Sequence, residues 1–175
     1  MRTIRTTTEV DATTDVAWQV LTAFDAYAKW NPFMPSVGGE ANVGARLTVE
    51  LAPPGGRRMT IRPTVTAVEP GRLLEWIGRL GLPGLFDGRH RFELGPLPNG
   101  RTRLTHGETF RGLLVPLLWR PVHGPTTSGF ERFNAAFAER CREMSVVGHH
   151  RRPHVGDVTA PVPGETRAAA DDRHQ

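Results

Sequence analysis

The side chains of this chain best suited to moving a proton are His90, His106 and Glu108, carried by the segments HRFEL and LTHGETF. Both segments read as β-strands, in which successive side chains point to opposite faces. Leu104, His106, Glu108 and Phe110 then share one face, while Arg103, Thr105, Gly107, Thr109 and Arg111 share the other. The second set suits water, so the first faces inward and takes a histidine and a glutamate with it. By the same parity Gly88, His90, Phe92 and Leu94 face inward, and Arg89, Arg91 and Glu93 face out. An imidazole titrates near neutral pH, and a carboxylate beside it can orient the ring or share its proton. His90 or His106 could therefore abstract a proton next to a carbonyl, with Glu108 as partner. The same groups could equally be a closed structural network, because buried polar groups must bond to one another or to water.

The connection between the two segments decides whether they meet. A two-residue Asn99-Gly100 turn would set His90 opposite Thr109, joining an inward face to an outward one, which strand pairing forbids. A loop centred on Pro98 or Asn99 restores consistency and pairs His90 with either His106 or Glu108, with side chains starting ~5 Å apart. A cluster of all three follows. Two histidines and a carboxylate are formally a metal set, but the spacing matches no metal motif. No metal and no cofactor are expected.

These strands need elements to hold them. Ile4, Thr6, Thr8 and Val10 alternate with Arg5, Thr7 and Glu9; Leu47, Val49 and Leu51 with Arg46, Thr48 and Glu50. Met59, Ile61, Pro63, Val65 and Ala67 form another inward row, where Pro63 marks an edge or a bulge. Leu74, Trp76 and Gly78 form the next. Such alternation marks an antiparallel sheet with one wet face. Thr13 or Thr14 can cap a helix carrying Val16, Val20 and Phe24, which ends before Trp30-Asn31-Pro32-Phe33 because proline restricts the residue preceding it. Ser128 and Glu131 have capping-box spacing, and Phe130, Phe133, Phe137, Cys141 and Met144 make the stripe of a long last helix, with Asn134 on its margin and Gly148 as its stop. Between the last strand and that helix lies GLLVPLLWRPVHG (112–124), read as a connecting stretch: packed on the core, or a lid, a dimer contact or a membrane-touching patch.

Trp76 and Phe92 face inward by parity, Phe110 shares the face of Glu108, and Trp30 sits at the corner after the first helix. With Asn134 these are the candidate ligand-binding residues. Gly78, Gly88 and Gly107 thin the sheet and allow a ligand or a bulge to approach closely.

At 175 residues and 38% hydrophobic the chain has enough length for one buried core. Residues 1–147 form that domain. The stretch over 148–175, rich in Pro, Gly, Ala and charge, has no apolar period and is expected to be disordered. No apolar run reaches the ~18 residues of a membrane span, and the polar start lacks a signal peptide, so a cytoplasmic protein without stable membrane insertion is expected. The single cysteine, Cys141, excludes an internal disulfide and falls on the helix's apolar face as an inert thiol. The net charge of +4 comes from arginine, Lys29 being the only lysine. Those arginines alternate along strands over an outer sheet surface, which argues against nucleic acid as partner.

The order strand, helix, several strands, long helix, together with local wording, resembles the SRPBCC or START-like helix-grip superfamily, in its polyketide cyclase/dehydrase and lipid-transport branch. DVAWQVLTAFDAYAKWNPF (15–33) resembles the family's first helix and corner. LLEWIGR (73–79), HRFEL (90–94), THGETFRG (105–112) and FNAAFAER (133–140) resemble its later strands and closing helix. The resemblance covers about residues 1–147. It implies an α+β fold in which a curved antiparallel sheet of about seven strands grips the long C-terminal helix around an apolar cavity. It implies a hydrophobic small molecule, lipid or polyketide-like, as ligand. Some members are cyclases or dehydratases and others protein-interaction modules of the chaperone-activating kind, so whether this chain is an enzyme stays open, as does a homodimer. No catalytic set common to the superfamily exists to be transferred. The His90, His106, Glu108 cluster stands on strand parity alone.

Overall fold

The computed structural model describes residues 1–150. Strand β1 (Arg2–Val10) leads into helix α1 (Thr14–Thr22) and a 3-10 segment, Phe24–Lys29. Six strands follow: β2 (Ser36–Gly38), β3 (Thr48–Leu51), β4 (Met59–Ile61), β5 (Thr64–Glu69), β6 (Leu73–Arg79) and β7 (Asp87–Pro96). Strand β8 (Thr102–Arg111) and helix α2 (Val115–His150) complete the order. All pairings are antiparallel. Five strands run β1-β8-β7-β6-β5 and three run β2-β3-β4. Backbone bonds from Leu47 N to Pro63 O and from Val65 N to Ala45 O, each 2.9 Å, stitch the smaller sheet to β5. The result is a curved, open antiparallel sheet with α2 along its inner face.

Local chemistry explains each boundary. Thr13 caps α1, its hydroxyl accepting from Val16 N, and Asp15 sits where the helix dipole favours an anion. At the corner, Asn31 Oδ1 accepts from the amides of Phe33 and Met34 at 3.1 and 2.8 Å, taking over donors that Pro32 withdraws from any helix. The row expected from Met59 to Ala67 is broken at Pro63 into β4 and β5, and a register shift between Val65 and Ala67 adds a bulge. Eight strands therefore appear where about seven were expected.

The largest difference from the sequence reading is α2. It begins at Val115, not Ser128, and the stretch 112–124 is mostly its first turns. Pro121 and Pro125 lie inside it and deprive the carbonyls of Leu117 and Pro121 of their donors. Both residues are exposed, so water can serve those carbonyls. Meanwhile Val115, Trp119 and Val122, at helical spacing, pack on the core. Tertiary burial outweighs the prolines. At its other end α2 passes Gly148 to His150; the tail expected over 148–175 otherwise lies outside the described residues.

Phe130, Phe133, Phe137 and Cys141 are buried along the inner stripe of α2, and burial pushes the Cys141 thiol up to about 12, which keeps it unreactive. Gly129, beside that stripe, lies directly under the ring of Phe33, so a Cβ there would strike the ring. Alanine would gain about 1 kcal/mol in helix propensity. Displacing a well-packed ring costs about 1–3 kcal/mol. Gly129→Ala should therefore lower stability on balance, read as a reduced midpoint in urea unfolding; a raised midpoint would mean that the corner does not pack on α2.

Candidate functional site

The hairpin β7–β8 turns on Asn99, whose φ of 62° is left-handed, with Leu97 N donating to Arg101 O. This is one of the two registers that parity allowed, and it sets His90 opposite Glu108 and Phe92 opposite His106. Strand β1 lies on the other side of β8 and sets Thr6 opposite His106. The three candidate residues are thus neighbours on the inner face, under α2.

Their atoms form one chain of contacts. His90 Nε2 and His106 Nε2 are 2.8 Å apart, and His106 Nδ1 lies 3.0 Å from Asn134 Oδ1. Asn134 Nδ2 donates to Thr6 Oγ1 at 2.9 Å, and the Thr6 hydroxyl donates to the carbonyl of His106 at 3.3 Å. These partners fix the protons. Asn134 presents its oxygen to His106, so Nδ1 of that ring carries hydrogen, and Nε2, a lone pair in the neutral ring, accepts from His90 Nε2–H. At the far end His90 Nδ1 faces Glu108 Oε2 at 3.7 Å. Two nitrogens sharing one tetrahedral metal would stand ~3.3 Å apart, so the 2.8 Å contact is a hydrogen bond between rings.

Burial divides the cluster. His106 is fully buried and stacks on Phe130, at 3.8 Å between centroids, and on Phe92, at 4.5 Å. Desolvation holds its pKa well below the ordinary 6.5, the neighbouring His90 adds to this, and the bond to Asn134 opposes it. His90 is buried too, stacked on Trp76 and set edge-on to Phe130. Glu108 keeps 18% of its side chain exposed, so solvent reaches the chain there as it does at half-buried Thr6.

The centre of the interior is therefore filled by rings and is not the open cavity that the sequence reading anticipated. A shallow cavity of about 200 Å³ lies on the outer sheet face over Gly107, between Arg5, Arg89 and Arg91. Another, about 400 Å³, opens between Thr6–Thr8 of β1 and Glu131, Asn134 and Ala135 of α2. Inner-face room appears one register step from Glu108, where Gly78 pairs with Gly88. A Cβ on Gly88 would strike the Glu108 carboxylate, which uses that slot. A Cβ on Gly78 would meet only Gly88 O, at 4.0 Å. Gly78 thus leaves a bare stretch of floor beside Trp76, while the Glu108 carboxylate fills the slot over its partner Gly88.

Of the candidate ligand-binding residues, Trp76 and Phe92 contact the histidines and Phe110 adjoins Gly88. Asn134 holds His106. Trp30 packs on Tyr27, Phe133 and Phe137 and reaches the cluster only through Phe133. Sequence reasoning missed Thr6 and Phe130 as members. Parity had placed Thr6 inward, but only the adjacency of β1 and β8 makes it a partner.

The model of the family described as "Polyketide cyclase / dehydrase and lipid transport" matches residues 1–144. The chain belongs to this family. None of the curated proteins compared matches it. Among solved structures it is similar to protein MLL2253 from Mesorhizobium loti, with TM-score 0.63 and 21% identity over 81% of this chain and 98% of that one. A START superfamily protein from Mycobacterium smegmatis gives TM-score 0.63 at 19% identity, over 81% and 98% of the chains. A Thalictrum norcoclaurine synthase gives 0.64 at 15%, over 82% and 96%. At such identities these neighbours establish the START-like helix-grip fold. Among the described residues no helix is long and apolar enough to cross a membrane.

A neutral, sealed His106 makes stability depend on pH with a definite sign. In the unfolded chain this ring takes up a proton as pH falls through about 6.5, while in the folded chain it does not. Stability should hold above that range and decline below it, by at most ~1.4 kcal/mol per pH unit from this group. Denaturant unfolding at stepped pH checks this, and His106→Gln should lose most of the slope. A slope unchanged by that substitution would place its origin elsewhere.

Proposed function

We propose that the protein binds a hydrophobic small molecule, lipid or polyketide-like, on the inner face of the sheet at the Gly78–Gly88 floor. The observation that carries this reading is the bare Gly78 beside a partly exposed carboxylate, in an otherwise closely packed aromatic interior. Glycine is costly inside a strand because it gives up packing and backbone entropy. Gly88 makes room for the Glu108 carboxylate, and Gly78, paired with it, makes sense where something other than a side chain occupies the space. Trp76 and Phe110 offer apolar walls, and the Glu108–His90 contact offers one polar anchor for a hydroxyl or carbonyl, the usual make-up of a small-molecule site. Burial of His106 assigns it a positioning role: it orients the His90 ring through Nε2 while Asn134 fixes its own tautomer.

A second reading, a cyclase or dehydratase-type reaction, is favoured by the same contact. His90 Nδ1 and Glu108 Oε2, 3.7 Å apart, could relay one proton through a bridging water, and Glu108 is accessible enough to pass it to a substrate. The similar norcoclaurine synthase is by its name an enzyme on this fold. A protein-interaction role fits the filled centre but leaves the glycine floor without a purpose.

Titration with an environment-sensitive apolar fluorophore, followed by competition with fatty acids and aromatic polyketides, tests the first reading. Gly78→Val should leave thermal stability unchanged or raised, because a branched side chain suits a strand, yet weaken uptake at least about tenfold by occupying the floor. Uptake unaffected by valine would remove the site from this position. Glu108→Gln separates the two readings: binding retained with turnover lost supports catalysis, whereas proportional loss of affinity supports recognition.

A further inference from the structure

Most arginines on the outer sheet surface are neutralised. Arg89 and Arg91 meet Glu75, Arg103 meets Glu9, and Arg101 meets Asp11. One end of the molecule differs. The β6–β7 connection, RLGLPGLFD (79–87), and the start of α2, RGLLVPLLWR (111–120), are tied together by bonds from Leu113 N to Gly84 O and from Leu114 N to Leu85 O, at 3.0 and 2.9 Å. Gly112 is required at that junction, with φ of 125° and the carbonyl of Leu85 where a Cβ would stand. The joined segments hold out Leu80, Leu82, Leu113 and Leu117, which are 58%, 72%, 81% and 75% exposed. Four outward leucines on two bonded segments are a patch, unlike the isolated apolar residues of an ordinary surface.

The charges beside this patch are mostly basic; Asp87 stands across the strand pair from Arg111 but makes its ion pair with Arg79. Arg111 and Arg120 flank the leucines and have no acidic partner among the described residues; Arg2 lies over the Trp119 ring at 5.5 Å. The single acid of the two segments, Asp87, faces Arg79 at 3.9 Å and accepts from Gly84 N. A second copy of this surface would bring like charges together and supply no counter-charge. An anionic lipid bilayer supplies both needs: acyl chains for the leucines and headgroup phosphates for the arginines.

We propose that this end of the molecule is a peripheral docking surface for anionic membranes. The leucines enter the headgroup boundary while Arg111 and Arg120 meet phosphates, with no segment crossing the bilayer. The glycine floor adjoins the same end, since Gly78 precedes Arg79 and Gly88 follows Asp87. Docking would bring an apolar ligand to the site without passage through water; this consequence, though not the docking, rests on the proposed ligand-binding function.

The test is cosedimentation of the full chain with phosphatidylcholine vesicles, with and without phosphatidylglycerol. Binding is expected only to the anionic vesicles and should weaken as salt is raised. The double variant Leu113→Glu, Leu117→Glu alters exposed side chains only and should lower the partition coefficient at least about tenfold; Arg111→Glu, Arg120→Glu should do likewise. Absence of binding to anionic vesicles would overturn the proposal, as would binding that survives both double variants. A dimer seen by light scattering and dissolved by the leucine variant would assign the surface to a second copy and overturn it equally. Fluorophore uptake measured without vesicles reports on the glycine floor separately, so failure of docking and failure of the ligand site are distinguishable.

Discussion

The bond between His106 and Asn134 is the constraint on which the rest of this interior depends. The aromatic stripe of α2 supplies most of the driving force for docking on the sheet, but apolar contact is non-directional and tolerates sliding. The imidazole does not. Its Nδ1 needs an acceptor and its Nε2 a donor, both inside a dry interior where an unmade bond costs about 1–3 kcal/mol. Slipping α2 by one turn, ~5.4 Å, would carry Asn134 away and leave His106 Nδ1 without its acceptor in a dry interior. One polar chain thus ties β1, β7 and β8 to the helix in a single register.

That chain also divides the inner face. At His106 it is closed: the rings of Phe92, Phe130 and Phe133 surround the imidazole and exclude water. Toward Glu108 it opens, because at the next register step Gly78 leaves empty the place where a side chain would stand. The dry middle keeps His106 neutral and thereby holds the adjoining His90 ring in a fixed orientation. The accessible end places a carboxylate where a ligand can meet it. Rigidity comes from the middle of the network and access from its Glu108 end.

The long helix shows a different balance. Its first turns hold prolines that a local reading treats as breakers, yet Val115, Trp119 and Val122 reach the core and the carbonyls that lose donors face water. Local propensity is a weak force beside burial of three large side chains. The cost of extending the helix this far is an apolar surface left uncovered beyond the sheet's end, at Leu113 and Leu117.

Much was legible in the chain alone. Period-two alternation placed His90, His106, Glu108, Phe92, Trp76 and Thr6 on the inner face, because strand geometry forces that alternation whatever surrounds it. Face consistency across the hairpin narrowed its register to two choices, and a turn residue able to adopt positive φ, Asn99, stands at the centre of the one adopted. Three matters were decided only by tertiary structure. Strand order made Thr6 a partner of His106, since parity says nothing about which strands are neighbours. Packing of α2 filled the centre with Phe130 and Phe133 and turned an anticipated cavity into a sealed network, since the depth to which a helix settles depends on every side chain beneath it. Packing of the Glu108 carboxylate over Gly88 left open space above Gly78 alone, because a gap is a property of what surrounds a residue and is not written in the residue itself.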